Sequence, residues 1–248
     1  MTFGVNTYLK PFTDALIDLI YPPVCAACGC ETQDSFSPIC EACLQALDLI
    51  SDPICPKCGA PISESSTPQK RCAECPSDAI HFDIARSVLS YADERVKNLV
   101  HALKYQYRTR LAAPLGEFLL KGFQRHYQEM NWDAIVPVPL HKKKLREREF
   151  NQATLISKSL SNAHGIPLRE DLIYRARNTP SQTTLDTQQR RQNPLNAFSP
   201  SRKNAALGLC LLVIDDVYTT GSTVNEVCYT LKQGGAAFTG VLTLARSL

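Results

Sequence analysis

The chain has 248 residues, 44% of them hydrophobic and 21% charged, with a formal net charge of +3. That balance excludes a disordered chain, which would hold less apolar material and more net charge, and the length allows one large domain or a small one joined to a larger one. No apolar run approaches the ~18–20 residues that cross a bilayer, and the opening MTFGVNTYLKPFTDALIDLIYPP has no basic leader followed by an unbroken apolar stretch, so a cytoplasmic protein is expected.

Residues 1–21 carry Phe12, Ala15, Leu16, Leu19 and Ile20 at helical spacing. Asp14 and Asp18 interrupt the stripe where a membrane-surface helix would place Lys or Arg, so packing against the rest of the protein is the expectation. Residues 22–79 are rich in Cys, Pro and Ser. Of eleven cysteines, eight form four Cys-x-x-Cys pairs: Cys25/Cys28, Cys40/Cys43, Cys55/Cys58 and Cys72/Cys75. In a reducing compartment such pairs bind metal, and two pairs complete the tetrahedron that zinc accepts. Two structural zinc sites are therefore expected, and zinc supplies the stability that so small an apolar core cannot. Joining neighbouring pairs is the simplest scheme; a cross-braced one, first pair with third, stays open. Four thiolates around each Zn²⁺ would move the net charge from +3 to about −1, so the molecule as a whole is not basic. Cys30 is left over, and Cys210 and Cys228 read as small buried hydrophobes. After Cys40, EACLQALDLI reads as a short helix with Leu44, Leu47 and Ile50 on one side.

Residues 80–248 alternate between the two periodicities. IARSVLSYA reads as a strand, and Val96, Leu99, Val100 and Leu103 mark a helix ending near Lys104. LAAPLGEFLLKGFQRHYQEM reads as a helix that tolerates Pro114 in its first turn, AIVPV as a buried strand, and FNQATLISKSLSNA as a helix closed by Gly165. LGLCLLVI, STVNEVCYTLKQGG and FTGVLTLA follow as strand, helix and strand. Strands that are apolar throughout and separated by helices imply an α/β fold with a parallel sheet covered on both faces. Its chemistry belongs on the loops at the carboxyl ends of the strands.

One such loop reads LLVIDDVYTTGSTVNE. Asp215 and Asp216 lie where the strand emerges, and Thr219, Thr220, Gly221, Ser222 and Thr223 lead into a helix. Backbone N–H groups at a helix N-terminus form an anion site, and glycine permits the close approach that a phosphate requires. The carboxylates would repel a phosphate but suit vicinal hydroxyls or a Mg²⁺ beside them. A ribose 5-phosphate unit matches both halves.

The loop resembles the 5-phosphoribosyl-1-pyrophosphate (PRPP) signature of type I phosphoribosyltransferases, with Asp215, Asp216, Thr219, Thr220, Gly221 and Thr223 in register. Together with the zinc module and the segments HALKYQYR, VPVPLHKKKLREREFNQA and QTTLDTQQRRQNPLNAF, almost the whole chain after residue 21 is similar to the ComF/GntX family. The resemblance implies a phosphoribosyltransferase-like sheet flanked by helices behind a small zinc module. It implies PRPP and Mg²⁺ as ligands, with Lys104 and Tyr105 in the loop that meets pyrophosphate. Segment 178–194 resembles a loop that closes over PRPP, with Gln182, Arg191 and Asn193 at matching positions and Arg191 beside the departing pyrophosphate. Where the family shows Arg-Gly-Phe-Asn, this chain has Arg148-Glu149-Phe150-Asn151.

HKKKLRER places Lys142, Lys143, Lys144, Arg146 and Arg148 within seven positions, as candidate contacts for nucleic acid or another anion. The family resemblance implies DNA uptake in natural competence, with single-stranded DNA and other uptake proteins at the inner membrane as partners. It also admits an active phosphoribosyltransferase of nucleotide metabolism with an unidentified acceptor, and a GntX-like role in gluconate use.

Overall fold

The computed structural model describes residues 23–32, 37–62, 72, 75, 80–179 and 194–247. The N-terminal helix expected over 1–21 lies outside them, as do Gln182, Arg191 and Asn193. Four parallel strands form the central sheet in the order β1 (Ile84–Ser90), β6 (Phe238–Arg246), β5 (Cys210–Tyr218), β2 (Ala134–Pro137). The middle strands alternate their apolar side chains between two cores. Leu212, Ile214, Leu242 and Leu244 face one layer, and Leu211, Val213 and Val241 face the other. Both faces are dry, which is why these strands read as unbroken apolar runs.

The first layer holds α2 (Glu94–Tyr105), α3 (Ala112–His126) and α5 (Gln152–His164), which bury Leu99, Leu103, Leu115, Leu119, Ile156 and Leu160. Local chemistry sets their ends. Asp93 caps α2 by accepting from the Arg95 N–H at 2.9 Å, and Asn151 caps α5 by accepting from the Ala153 N–H at 3.1 Å. Gly165 closes α5 in the left-handed conformation, as its position in the sequence predicts. The second layer holds α6 (Ser222–Gln233) and a small antiparallel pair, β3 (Ile173–Arg175) with β4 (Phe198–Pro200), which the sequence reading did not include.

The cysteine-rich segment straddles this sandwich. Cys25 and Cys43, with Ala27, Ile39 and Leu47, join the first core, whereas Cys55 and Cys58 join the second. The Asn98 amide donates to the Ala27 carbonyl at 2.9 Å, tying the first knuckle to α2. The Ala85 N–H donates to the Lys57 carbonyl at 2.9 Å, tying the second knuckle to β1. The short helix α1 (Glu41–Ala46) ends before Leu47, and Leu47 and Ile50 bury themselves from an extended segment instead. The Ile50 N–H is bonded to the Val88 carbonyl, so pairing beside β1 replaces the expected last helical turn. Among the described residues, no helix is long and apolar enough to cross a membrane.

Candidate functional site

The eight paired cysteines form two clusters, Cys25/Cys28/Cys40/Cys43 and Cys55/Cys58/Cys72/Cys75, each with its sulfur atoms within 4.8 Å of one another. Neighbouring pairs therefore join, and the cross-braced alternative is not adopted. A tetrahedron of thiolates about 2.3 Å from Zn²⁺ has edges near ~3.8 Å. The Sγ–Sγ distances of 3.9 Å for Cys28–Cys40, 3.7 Å for Cys55–Cys75, 3.4 Å for Cys58–Cys72 and 3.9 Å for Cys72–Cys75 fit that figure. Backbone N–H groups supply the outer partners of such a site. Burial alone would raise the Cys25 thiol, but N–H donors, including that of Cys40 at 3.3 Å, bring it down to about 6. These are two zinc-binding sites of four cysteines each. Cys30 is exposed and outside them, and burial pushes the Cys228 thiol up to about 12, as suits a core residue.

At the carboxyl edge of the sheet, β5 runs four residues further than its apolar stretch, to Tyr218. Pairing with β6 continues through Asp215↔Thr243, Val217↔Ala245 and Tyr218↔Arg246, so both acids belong to the strand. Asp216 is buried and its Oδ2 lies 2.7 Å from Lys104 Nζ. Lys104 and Tyr105 are the last two residues of α2 rather than part of a loop, because the helix continues until the Gln106 N–H bonds to the Ala102 carbonyl. Burial would lower the Lys104 amine, but Asp216 outweighs it and the net direction is up. Asp215 moves the other way from an ordinary carboxyl. Burial first, and then the adjacent Asp216 charge, push it up to about 8 against the pull of Lys104.

Positive charge crowds around this acid pair. Within α4 (Lys142–Arg148), Lys142, Lys143 and Arg146 are exposed, while Lys144 and Arg148, four positions apart and thus on one helical face, are half-buried. Arg148 lies 5.3 Å over the Tyr105 ring and donates to Gln152 at 2.7 Å. Burial pushes the Lys144 amine down, and the charges of Arg175, Arg148 and Lys104 push it further. Arg175, from β3, sits 5.3 Å over the Phe198 ring and feels Asp215. The basic run of the sequence is thus divided between solvent and the site. Glu149 closes α4 with φ of +66°, the left-handed conformation that the glycine of the family pattern adopts without strain.

Beyond the acids, Gly221 caps α6 with φ of +75°, and a Cβ there would lie 2.2 Å from the Tyr218 hydroxyl. Only glycine fits this turn. Thr220 Oγ1 and Ser222 Oγ are 2.5 Å apart, and the first N–H groups of the 12-residue α6 begin at Ser222. Carboxylates, hydroxyls and a helix N-terminus thus meet at one strand end, with Lys104 on Asp216 and Arg175 within electrostatic reach of Asp215. The sequence reading named the acids and hydroxyls but missed Tyr218 and Arg246. The signal for Arg246 was a cation closing an otherwise apolar strand.

Comparisons with known proteins place the chain. It is 33% identical over 233 residues to the DNA utilization protein YhgH of Salmonella typhimurium, covering 93% of this chain and 100% of that protein. It is 30% identical over 223 residues to competence protein F of Haemophilus influenzae, covering 88% and 89%. The chain belongs to this competence protein F and YhgH family. Competence protein ComFC of Bacillus subtilis is 28% identical over 163 residues, 65% of this chain and 64% of its own. Residues 16–76 match the double zinc ribbon domain. Among solved structures, a purine phosphoribosyltransferase from Pyrococcus horikoshii gives a TM-score of 0.33 at 18% identity over 53% of this chain and 73% of that one. The Bacillus subtilis glutamine PRPP amidotransferase gives 0.34 at 20% identity over 52% and 25%.

Proposed function

We propose that this protein is a ComF-type DNA utilization protein, acting in DNA uptake during natural competence, whose α/β domain binds PRPP with Mg²⁺. One observation carries the ligand reading. Asp215 and Asp216 stand at the end of β5, three residues before a turn that admits only glycine at position 221 and opens directly into α6. In this reading residues 219–223 hold the 5-phosphate with N–H and hydroxyl donors. Asp215 and Asp216 hold the ribose diol, and Mg²⁺ would offset the charge of the pyrophosphate near them. Lys104, Tyr105, Lys144, Arg148 and Arg175 line the side toward which pyrophosphate points, and Arg191 is assigned to that group by the resemblance alone. Lys104 must loosen its 2.7 Å contact with Asp216 to serve an anion, so ligand binding exchanges an internal ion pair for an external one.

The crowded cations favour a second reading, an active phosphoribosyltransferase with an acceptor still to be identified. As the bond between C1 and pyrophosphate breaks, charge develops on the leaving group where fixed cations stabilise it most. The exposed Lys142, Lys143 and Arg146 suit phosphates of single-stranded DNA on the outer side of α4. Thermal shift with PRPP and Mg²⁺ tests the pocket. The expected result is a rise in melting temperature that Asp215→Ala with Asp216→Ala abolishes; no rise in the wild type refutes it. Acceptor-dependent release of pyrophosphate would establish the enzyme. Salt-sensitive binding of single-stranded DNA, weakened by Lys142→Ala with Lys143→Ala, is expected of the uptake role.

A further inference from the structure

Arg246 is the last residue of β6, and its side chain is only 1% exposed. A guanidinium so deeply buried is costly unless its charge and its donors are met. On one side it meets the second zinc site: Nη1 donates to the Cys58 carbonyl at 2.8 Å, and Nη2 lies 3.7 Å from Cys58 Sγ. Four thiolates around Zn²⁺ carry a net charge of about −2, and a cationic donor to one sulfur is the kind of outer partner that holds a ligand in place and offsets that charge. On the other side the guanidinium lies over the Tyr218 ring, 4.2 Å from its centroid. Strand register fixes that pairing, since Tyr218 and Arg246 are partners across β5 and β6 and the Ser247 N–H bonds to the Tyr218 carbonyl at 2.9 Å. Tyr218 in turn fills the space against Gly221, where an added Cβ would lie within 2.2 Å of its hydroxyl.

Cys58, Arg246, Tyr218 and Gly221 therefore form one continuous line of contacts from the second zinc site to the anion loop. We propose that Arg246 is a positioning residue that couples the second zinc site to the 219–223 loop. Zinc held by Cys55, Cys58, Cys72 and Cys75 fixes Arg246, Arg246 fixes the Tyr218 ring, and the ring supports the left-handed turn at Gly221. The part concerning ligand affinity rests on the PRPP reading above; the coupling itself does not. Its consequence is that loss or oxidation of the second zinc site slackens a loop on the far side of β6.

The test uses full-length, zinc-loaded protein and compares wild type with Arg246→Lys and Arg246→Met. Three quantities are read: zinc per chain, hydrogen exchange of the peptide spanning 217–224, and the dissociation constant for PRPP with Mg²⁺. Arg246→Lys keeps a cation near Cys58 but loses the planar stack on Tyr218. It is expected to retain two zinc ions, exchange at least fivefold faster in that peptide, and bind PRPP at least tenfold more weakly, about 1.4 kcal/mol. Arg246→Met is expected to show the same loop changes and to fall toward one zinc ion. A residue that merely fills the core would lower the melting temperature without this split between zinc and loop. Wild-type zinc content and wild-type exchange at 217–224 in both variants would overturn the coupling. If Arg246→Met does not fold, Cys72→Ser reads the coupling from the metal side: faster exchange at 217–224 supports it, and unchanged exchange overturns it. If wild type gives no binding with PRPP, the ligand reading fails while exchange and zinc content still decide the coupling.

Discussion

Asp215→Asn separates a functional carboxylate from a structural one. Burial and the neighbouring Asp216 hold the Asp215 carboxyl up from its ordinary 3.8 to about 8. Between those values the folded protein keeps a proton that the unfolded chain has lost, so stability falls as pH rises from about 4 to about 8. At ~1.4 kcal/mol per unit the ceiling over this window is about 6 kcal/mol, and the half-buried position with its access to solvent brings the expected figure to about 2 kcal/mol. The substituted amide would keep an oxygen to accept the Asp216 N–H, now bonded to Asp215 at 2.9 Å, and would leave the Lys104–Asp216 pair intact. The variant should therefore match wild type near pH 4 and exceed it by about 2 kcal/mol near pH 8. Urea unfolding at several pH values measures this. The same variant should lose PRPP binding, so a protein that gains stability while losing its ligand is the expected outcome. A variant less stable than wild type at pH 8, or one with the wild-type pH profile, would refute the electrostatic account.

Gly221→Ala should cost about 2–4 kcal/mol, from the left-handed backbone and the displaced Tyr218 ring, and should abolish PRPP binding; chemical denaturation and calorimetry check both. Glu149→Gly relieves a φ of +66° and should stabilise the protein by about 0.5–1 kcal/mol, raising the melting temperature by roughly 2 °C. An unchanged or lower melting temperature would mean that the Glu149 side chain compensates for its backbone. Metal analysis should return two zinc ions per chain from the two four-cysteine clusters. Chelation should collapse the cooperative melt, because Cys25 and Cys43 share one core with α2 while Cys55 and Cys58 share the other with α6. A ratio near one, or a melt indifferent to chelation, would contradict that description.

Where one periodicity dominated, the sequence was legible. The helices burying Leu99, Leu119 and Ile156 and the strands through Ile135, Leu212 and Val241 follow from spacing alone, and the zinc ligands follow from four Cys-x-x-Cys pairs. The acid pair and the glycine turn were legible as a motif, but not the 2.7 Å contact of Lys104 with Asp216, which depends on how α2 meets β5. The basic run at 142–148 read as an undivided charged patch because its one apolar position, Leu145, is too little to give a helical phase. In the fold it is α4, with Lys144 and Arg148 turned inward beside Arg175. β3 and β4 are three residues each, too short for alternation to register, and they exist through pairing with each other. Arg246 lay one residue past the apolar stretch that defined the last strand, yet pairing with Tyr218 draws it into the sheet and the interior.

Calorimetric titration of the full chain, carrying two zinc ions, with PRPP and Mg²⁺ tests the central claim most directly. Saturable binding of one ligand per chain, lost in Asp215→Asn and Gly221→Ala, is the predicted result. Absence of saturable heat from the fully metallated, folded protein would contradict the assignment of residues 215–223 as a ribose phosphate site.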